Sequence, residues 1–181
     1  MKKDLLTKIL VVFFVLFGFS WGASAQEEAF NKGDRVVQLG VGLGNYFDRP
    51  GYKTKVPPVS GSFEVGILDL LDGKGAIGVG GYLAYTSFGT KGIDKFTVSD
   101  LIIGPRGTFH YQFVEKLDTY AGLMLGYDIV SYSHTDSNLS GSEFISSFYV
   151  GARYYLADKI AVFGEFGYGI APMEFGISYK F

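Results

Sequence analysis

The chain has no cysteine among its 181 residues, only two histidines and a single tryptophan. Without cysteine there are no disulfide staples and no lipid-anchored amino-terminal Cys, so stability in an oxidising compartment must come from the fold itself. The histidines, His110 and His134, are far apart and unaccompanied by thiols, which leaves no ligand spacing for a metal centre. No cofactor is implied either. An excess of basic charge is missing too: 16 Lys and Arg stand against 18 Asp and Glu, so nothing pulls on nucleic acid. The glycine runs LGVGLGN and GKGAIGVGG lack the G-x-G-x-x-G spacing and are followed by no helix, which excludes a nucleotide loop.

What is present begins with MKKDLLTKILVVFFVLFGFSWGASAQ, the three parts of a secretory signal in order. Lys2, Lys3 and Lys8 form the charged region, Ile9 to Phe19 the apolar run, and Ala23-Ser24-Ala25 the small-x-small site cut before Gln26. The alternative, a retained membrane anchor, asks an eleven-residue run to do the work of the ~17–25 residues a spanning helix needs. Residues 1–25 are therefore expected to be a cleaved signal peptide and residues 26–181 one domain. Removing three lysines and one aspartate leaves that domain with 13 basic and 17 acidic residues, a formal charge of −4.

Downstream of the signal no stretch has helical spacing. Apolar residues instead recur at every second position in eight segments, the mark of strands with two unlike faces. They fall at Asp34–Gly44, Pro58–Leu68, Ala76–Phe88, Phe96–Phe113, Leu117–Tyr132, Ser142–Leu156, Lys159–Gly169 and Ala171–Phe181. Connections after the second, fourth and sixth are short, and those after the first, third and fifth are longer and polar. Short turns would then gather at one end with both termini, and the loops Asn45–Pro57, Ser87–Lys95 and Ser131–Ser142 at the other. That is the plan of an eight-stranded antiparallel up-and-down transmembrane β-barrel, all-β, with periplasmic turns and extracellular loops.

Volume decides which face looks outward. One phase collects large apolar residues such as Leu39, Phe63, Leu83, Ile103, Leu123, Phe148, Phe166 and Ile177. The other collects glycine, serine and charge, as in Gly40, Ser62, Gly78, Gly122, Gly151 and Gly176. The interior of an eight-stranded barrel is only just wide enough to be filled by side chains, so the large set must face out, and only lipid tolerates such a band. Tyr85, Tyr127 and Tyr168 fit an aromatic girdle at the loop end, and Tyr111, Phe113, Tyr154, Tyr179 and Phe181 one at the turn end.

The stretches IIGPRGTFHYQFVEKLDTYAGLMLGYDIV and GARYYLADKIAVFGEFGYGI, with the terminal FGISYKF, resemble the small porin-family outer-membrane barrels of the OmpX and OmpA-membrane-domain type. The resemblance covers Val37 to Phe181. It implies an outer-membrane location in a Gram-negative envelope and contact with membrane lipid and lipopolysaccharide, and says little about activity. It also implies that the terminal strand, with Phe175, Ile177, Tyr179 and Phe181, is the signal read by the outer-membrane assembly machinery. Two-domain members carry a periplasmic peptidoglycan-binding domain after the barrel; here the chain stops with strand eight, so that function is not carried over.

Charges of inward parity suggest what fills the lumen. Glu64, Arg106, Glu165 and Glu174 are expected to share one layer, with His110, Asp118, Arg153 and Lys180 lower. Arginine flanked by carboxylates offers paired, hydrogen-bonded groups where lone charges would be costly. An ion-pair network of Glu64, Arg106, Asp118, Arg153, Glu165, Glu174 and Lys180 plugging the barrel is the expectation, and a partly water-filled lumen with loose pairs the alternative. Some barrels of this size act on lipid A. The nearest nucleophilic arrangement is YSHTDSNLSG, with His134, Asp136 and Ser137, whose spacing puts serine off the histidine's face or into the loop. The reading reached is a non-enzymatic, monomeric barrel serving envelope integrity or surface interaction through its loops. Its rivals are a lipid A-modifying enzyme, a small-solute channel and a soluble lipocalin-like binder.

Overall fold

The computed structural model describes residues 29–44, 53–90, 96–134 and 137–181, without the side chains of 134–139. The expected signal segment with Ala23, Ala25 and Gln26 lies outside the described residues. Eight strands follow one another: β1 (Arg35–Leu43), β2 (Lys53–Leu70), β3 (Gly75–Gly89), β4 (Thr97–Val114), β5 (Leu117–His134), β6 (Ser137–Ala157), β7 (Ile160–Gly167) and β8 (Met173–Lys180). Each pairs antiparallel with its neighbour in sequence, and β1 pairs with β8, so the sheet closes on itself as the alternation predicts. Closure removes both sheet edges. Even the last residue is tied in, Phe181 N–H donating to Arg35 O at 2.9 Å.

Three strands, β2, β5 and β6, reach well beyond what the alternation indicates. β2 begins at Lys53 rather than Pro58, and Pro57 and Pro58 lie where its register against β3 slips between Val56 and Val59. They also lie beyond Val41–Val59, the last pair with β1, so both prolines occupy a bulge on a locally unpaired edge, where a missing N–H costs little. The segment Ser131–Ser142, read as a loop, is mostly ladder: β5 and β6 stay paired from Ile129–Ser142 up to His134–Ser137. Its serines break the apolar phase without breaking the backbone pairing, because this part stands above the lipid. An 18-residue strand rises ~60 Å untilted at ~3.3 Å per residue, far more than an apolar band ~25 Å tall requires.

The wall divides as the volume argument requires. Leu39, Leu123, Phe148 and Ile177 are 59, 62, 58 and 59% exposed, and water would not tolerate so continuous an apolar surface. At its loop end Tyr127 meets Phe144 edge-on at 5.8 Å, and at its turn end Tyr111 meets Phe113 at 4.6 Å and Tyr179 meets Phe181 at 5.1 Å. Phe175, Ile177, Tyr179 and Phe181 all lie on this outer face.

The inner face is not only small and charged. Tyr82, Tyr120, Tyr149, Tyr155, Phe163 and Met124 are buried inside the barrel. Glycines on adjacent strands give them room: a Cβ at Gly122 would lie 2.3 Å from the Tyr149 ring, and one at Gly151 would lie 2.6 Å from the Tyr120 ring. Glycine and tyrosine therefore act as complementary halves of one packing unit. Gly122→Ala is expected to cost about 1–3 kcal/mol through overpacking. Gly81→Ala adds an outward methyl that meets nothing within 4 Å and should stay within ~0.5 kcal/mol of the parent; urea titration in detergent measures both.

Candidate functional site

The inner side chains form two connected clusters, one above the other. At the turn end, β2 contributes Glu64, β4 His110, β5 Asp118 and β6 Arg153, none more than 1% exposed. Asp118 and Arg153 stand opposite each other in the β5–β6 ladder, and Arg153 Nη1 donates to Asp118 Oδ2 at 3.0 Å. Arg153 Nη2 donates to Glu64 Oε2 and, at 3.1 Å, to Gln38 Oε1. His110 lies between the carboxylates, with Nδ1 2.9 Å from Asp118 Oδ1 and Nε2 3.0 Å from Glu64 Oε1. Only a ring protonated on both nitrogens donates in both directions. Two cations then answer two carboxylates, and the quartet is neutral.

Glu64 reaches His110 across an intervening strand because β3 offers no side chain there. A Cβ at Gly78 would lie 2.5 Å from Glu64 Oε1.

The second cluster, toward the loop end, centres on Arg106 of β4. Its Nη2 donates to Glu165 Oε1 at 2.9 Å and its Nε to Tyr149 OH at 2.7 Å, while the guanidinium lies 4.0 Å from the centre of the Tyr149 ring. Tyr120 OH also donates to Glu165 Oε1, at 2.8 Å. Glu174 accepts from Tyr82 OH at 2.5 Å and from Ser60 Oγ. Gln38 joins the two clusters: its Oε1 accepts from Arg153 and its Nε2 donates to Tyr120 OH at 3.2 Å. A cavity of about 20 Å³ remains beside Arg106, Tyr149 and Glu174, the room of about one water molecule.

Two members of the sequence-based set stand elsewhere than expected. Glu64 belongs to the Arg153 quartet rather than to the Arg106 layer, since the empty positions on β3 let its side chain cross toward His110. Lys180 is at the mouth, 3.6 Å from Asp34 Oδ2 and donating to Ala29 O at 3.4 Å. As the last residue of β8 it has run out of lumen to face. Arg106, Asp118, Arg153, Glu165 and Glu174 all point inward and are buried.

Sequence reasoning missed the segment that closes the turn end. Phe30 is 5% exposed, stacks on His110 with ring centres 4.0 Å apart, and lies 5.5 Å from the Arg153 guanidinium. Around it Ala29 N–H donates to Gln112 Oε1 at 3.0 Å, Lys32 N–H to Asp69 Oδ1 at 2.6 Å, and Gly33 N–H to Gly66 O at 2.8 Å. The hint was an apolar Ala-Phe pair between charged stretches, but nothing in its local pattern said that it turns into the lumen. Of the proposed catalytic set, His134 and Ser137 pair in the ladder; their side chains and Asp136 lie outside the described residues.

Arg153→Met would leave Glu64 and Asp118 buried with one cation between them and should cost about 3–5 kcal/mol. Adding Glu64→Gln should recover a measurable part of that loss in a double-mutant cycle. Separately, Phe30→Ala should accelerate hydrogen exchange at the amides of Ala29, Lys32 and Gly33 by tenfold or more while strand amides of β4 and β5 keep their protection.

No protein-family model and no curated protein sequence matches the chain. Solved structures do. The Yersinia pestis attachment invasion locus protein Ail, in a complex with the heparin analogue sucrose octasulfate, superposes with a TM-score of 0.56 at 13% identity, covering 83% of this chain and 99% of Ail. The Pseudomonas aeruginosa outer membrane protein OprG gives 0.51 at 12% identity, over 85% of this chain and 98% of OprG. The chain thus has the fold of the small eight-stranded outer-membrane β-barrels.

Proposed function

We propose that this chain is a non-conducting, non-enzymatic outer-membrane barrel that contributes to envelope integrity or surface interaction through its loop end. The observation that carries this reading is the continuous hydrogen-bonded path Arg153–Gln38–Tyr120–Glu165–Arg106, which occupies the lumen where a channel would need water. The lipid-facing wall and the two aromatic girdles support insertion in a membrane. On this reading residues 1–25 are removed by signal peptidase at Ala23-Ser24-Ala25, and the strand bearing Phe175, Ile177, Tyr179 and Phe181 is recognised by the assembly machinery. The barrel works as a monomer among membrane lipid and lipopolysaccharide. Extended β5 and β6 lift the third loop clear of the membrane, the position from which an extracellular ligand is met.

The outer-membrane fraction should contain a band whose gel mobility changes on boiling, because a closed barrel resists detergent until heated. The purified protein should show no unitary conductance in planar bilayers. Arg106→Leu removes the cation beside Glu165 and Tyr149 and should lower thermal stability or open a conductance. Absence from the outer-membrane fraction would overturn the location, and steady conductance by the parent protein would favour a small-solute channel. Altered lipid A on expression, abolished by substituting His134 and Ser137, would favour the lipid-modifying reading.

A further inference from the structure

Above the Arg106 layer the lumen changes character. Asp100 on β4 and Asp128 on β5 both point inward and are 1 and 8% exposed. They are diagonal neighbours in the β4–β5 ladder, where Asp100 pairs with Val130 and Asp128 with Ile102. Each feels its neighbour's charge: Asp128 acts on Asp100, and Glu143, opposite Asp128 on β6, acts on Asp128. Like charges placed this way on adjacent strands repel, so something must hold them.

No described side chain does. Asp100 Oδ2 and Asp128 Oδ1 are buried and receive no hydrogen bond from any described residue. The described ion pairs end on Glu64, Asp118, Glu165 and Asp34. Thr86 stands opposite Asp100 in the β3–β4 ladder, but its hydroxyl is committed to Val56 O at 3.0 Å. A buried carboxylate oxygen without a donor costs more than a fold retains without compensation. Beside Asp128 a cavity of about 380 Å³, also bordered by Ser147, Gly169 and Tyr168, admits water, which supplies donors; two neighbouring carboxylates also call for positive charge, as a proton or a cation.

We propose that Asp100 and Asp128 form a divalent-cation site in the loop-end vestibule, with Glu143 at its rim. Hard carboxylate oxygens select magnesium or calcium over softer metals. Among the described residues no three His, Cys, Asp or Glu side chains converge on one point, so the ion keeps most of its water. That arrangement suits magnesium, which is commonly held by one or two carboxylates with water completing the shell. The site owes nothing to the loop function proposed above and stands or falls separately.

The test uses the mature chain, freed of divalent ions with chelator, in a zwitterionic detergent without lipopolysaccharide so that lipid phosphates bind no ion. Magnesium should raise the thermal midpoint by about 5–10 °C at a hundredfold excess over half-saturation. Asp100→Asn with Asp128→Asn should abolish that response and unfold in chelator no lower than the parent. Calorimetric titration should show one magnesium site in the parent and none in the double variant, with calcium as the comparison ion. A parent that responds to neither ion would overturn the site. An undiminished response in the double variant would also overturn it.

Discussion

Everything in this barrel depends on a lumen that side chains nearly fill and that is too polar to be left unpaired. Eight strands enclose an interior that side chains alone can fill, and the outer face belongs to lipid, which accepts no charge cheaply. The inward charges of the two lower layers are therefore answered by other side chains rather than by solvent. Arg153 meets this constraint with three acceptors, Asp118, Glu64 and Gln38, on three different strands. The register of the whole sheet has to be right for that one guanidinium to be satisfied. A slip of one residue would turn every inward charge toward lipid.

The same constraint explains the pairing of glycine with tyrosine. A tyrosine spans the lumen and delivers a hydroxyl to the far side, as Tyr120 does to Glu165 and Tyr82 does to Glu174. It can do so only where the wall it crosses lacks a side chain. The abundance of glycine is thus the means by which long polar reach is accommodated, and the rings add cation–π contacts such as Arg106 on Tyr149 and Arg153 on Tyr120.

Alternation alone carried the barrel, its closure and the outward phase, because lipid imposes a period of two that composition cannot disguise. It carried less of the interior. Arg106 and Glu165 could be placed inward by parity, but not which carboxylate each arginine meets, since that depends on crossings over empty positions such as Gly78. The tyrosines had inward parity too; treating the lumen as a volume for small residues hid them, because it ignored that glycines opposite leave space. Phe30 was invisible for a different reason. Its place beneath His110 is a long-range contact of a short segment that belongs to no strand, and no local period marks such a segment.

Charge is distributed unevenly along the barrel axis, and that asymmetry bears on where the protein acts. The quartet at the turn end is neutral and sealed by Phe30. The middle layer pairs Arg106 with Glu165 and leaves Glu174 held by two hydroxyls. At the loop end Asp100 and Asp128 are buried without a described cation, and Glu143 stands above them. Acidic side chains of inward parity thus lie toward the loop end, where Lys53 and Lys55 open β2, while the other end is closed. The two packed layers leave room for about one water molecule beside Arg106, so the acidic groups of the loop end stand above a lumen that side chains block.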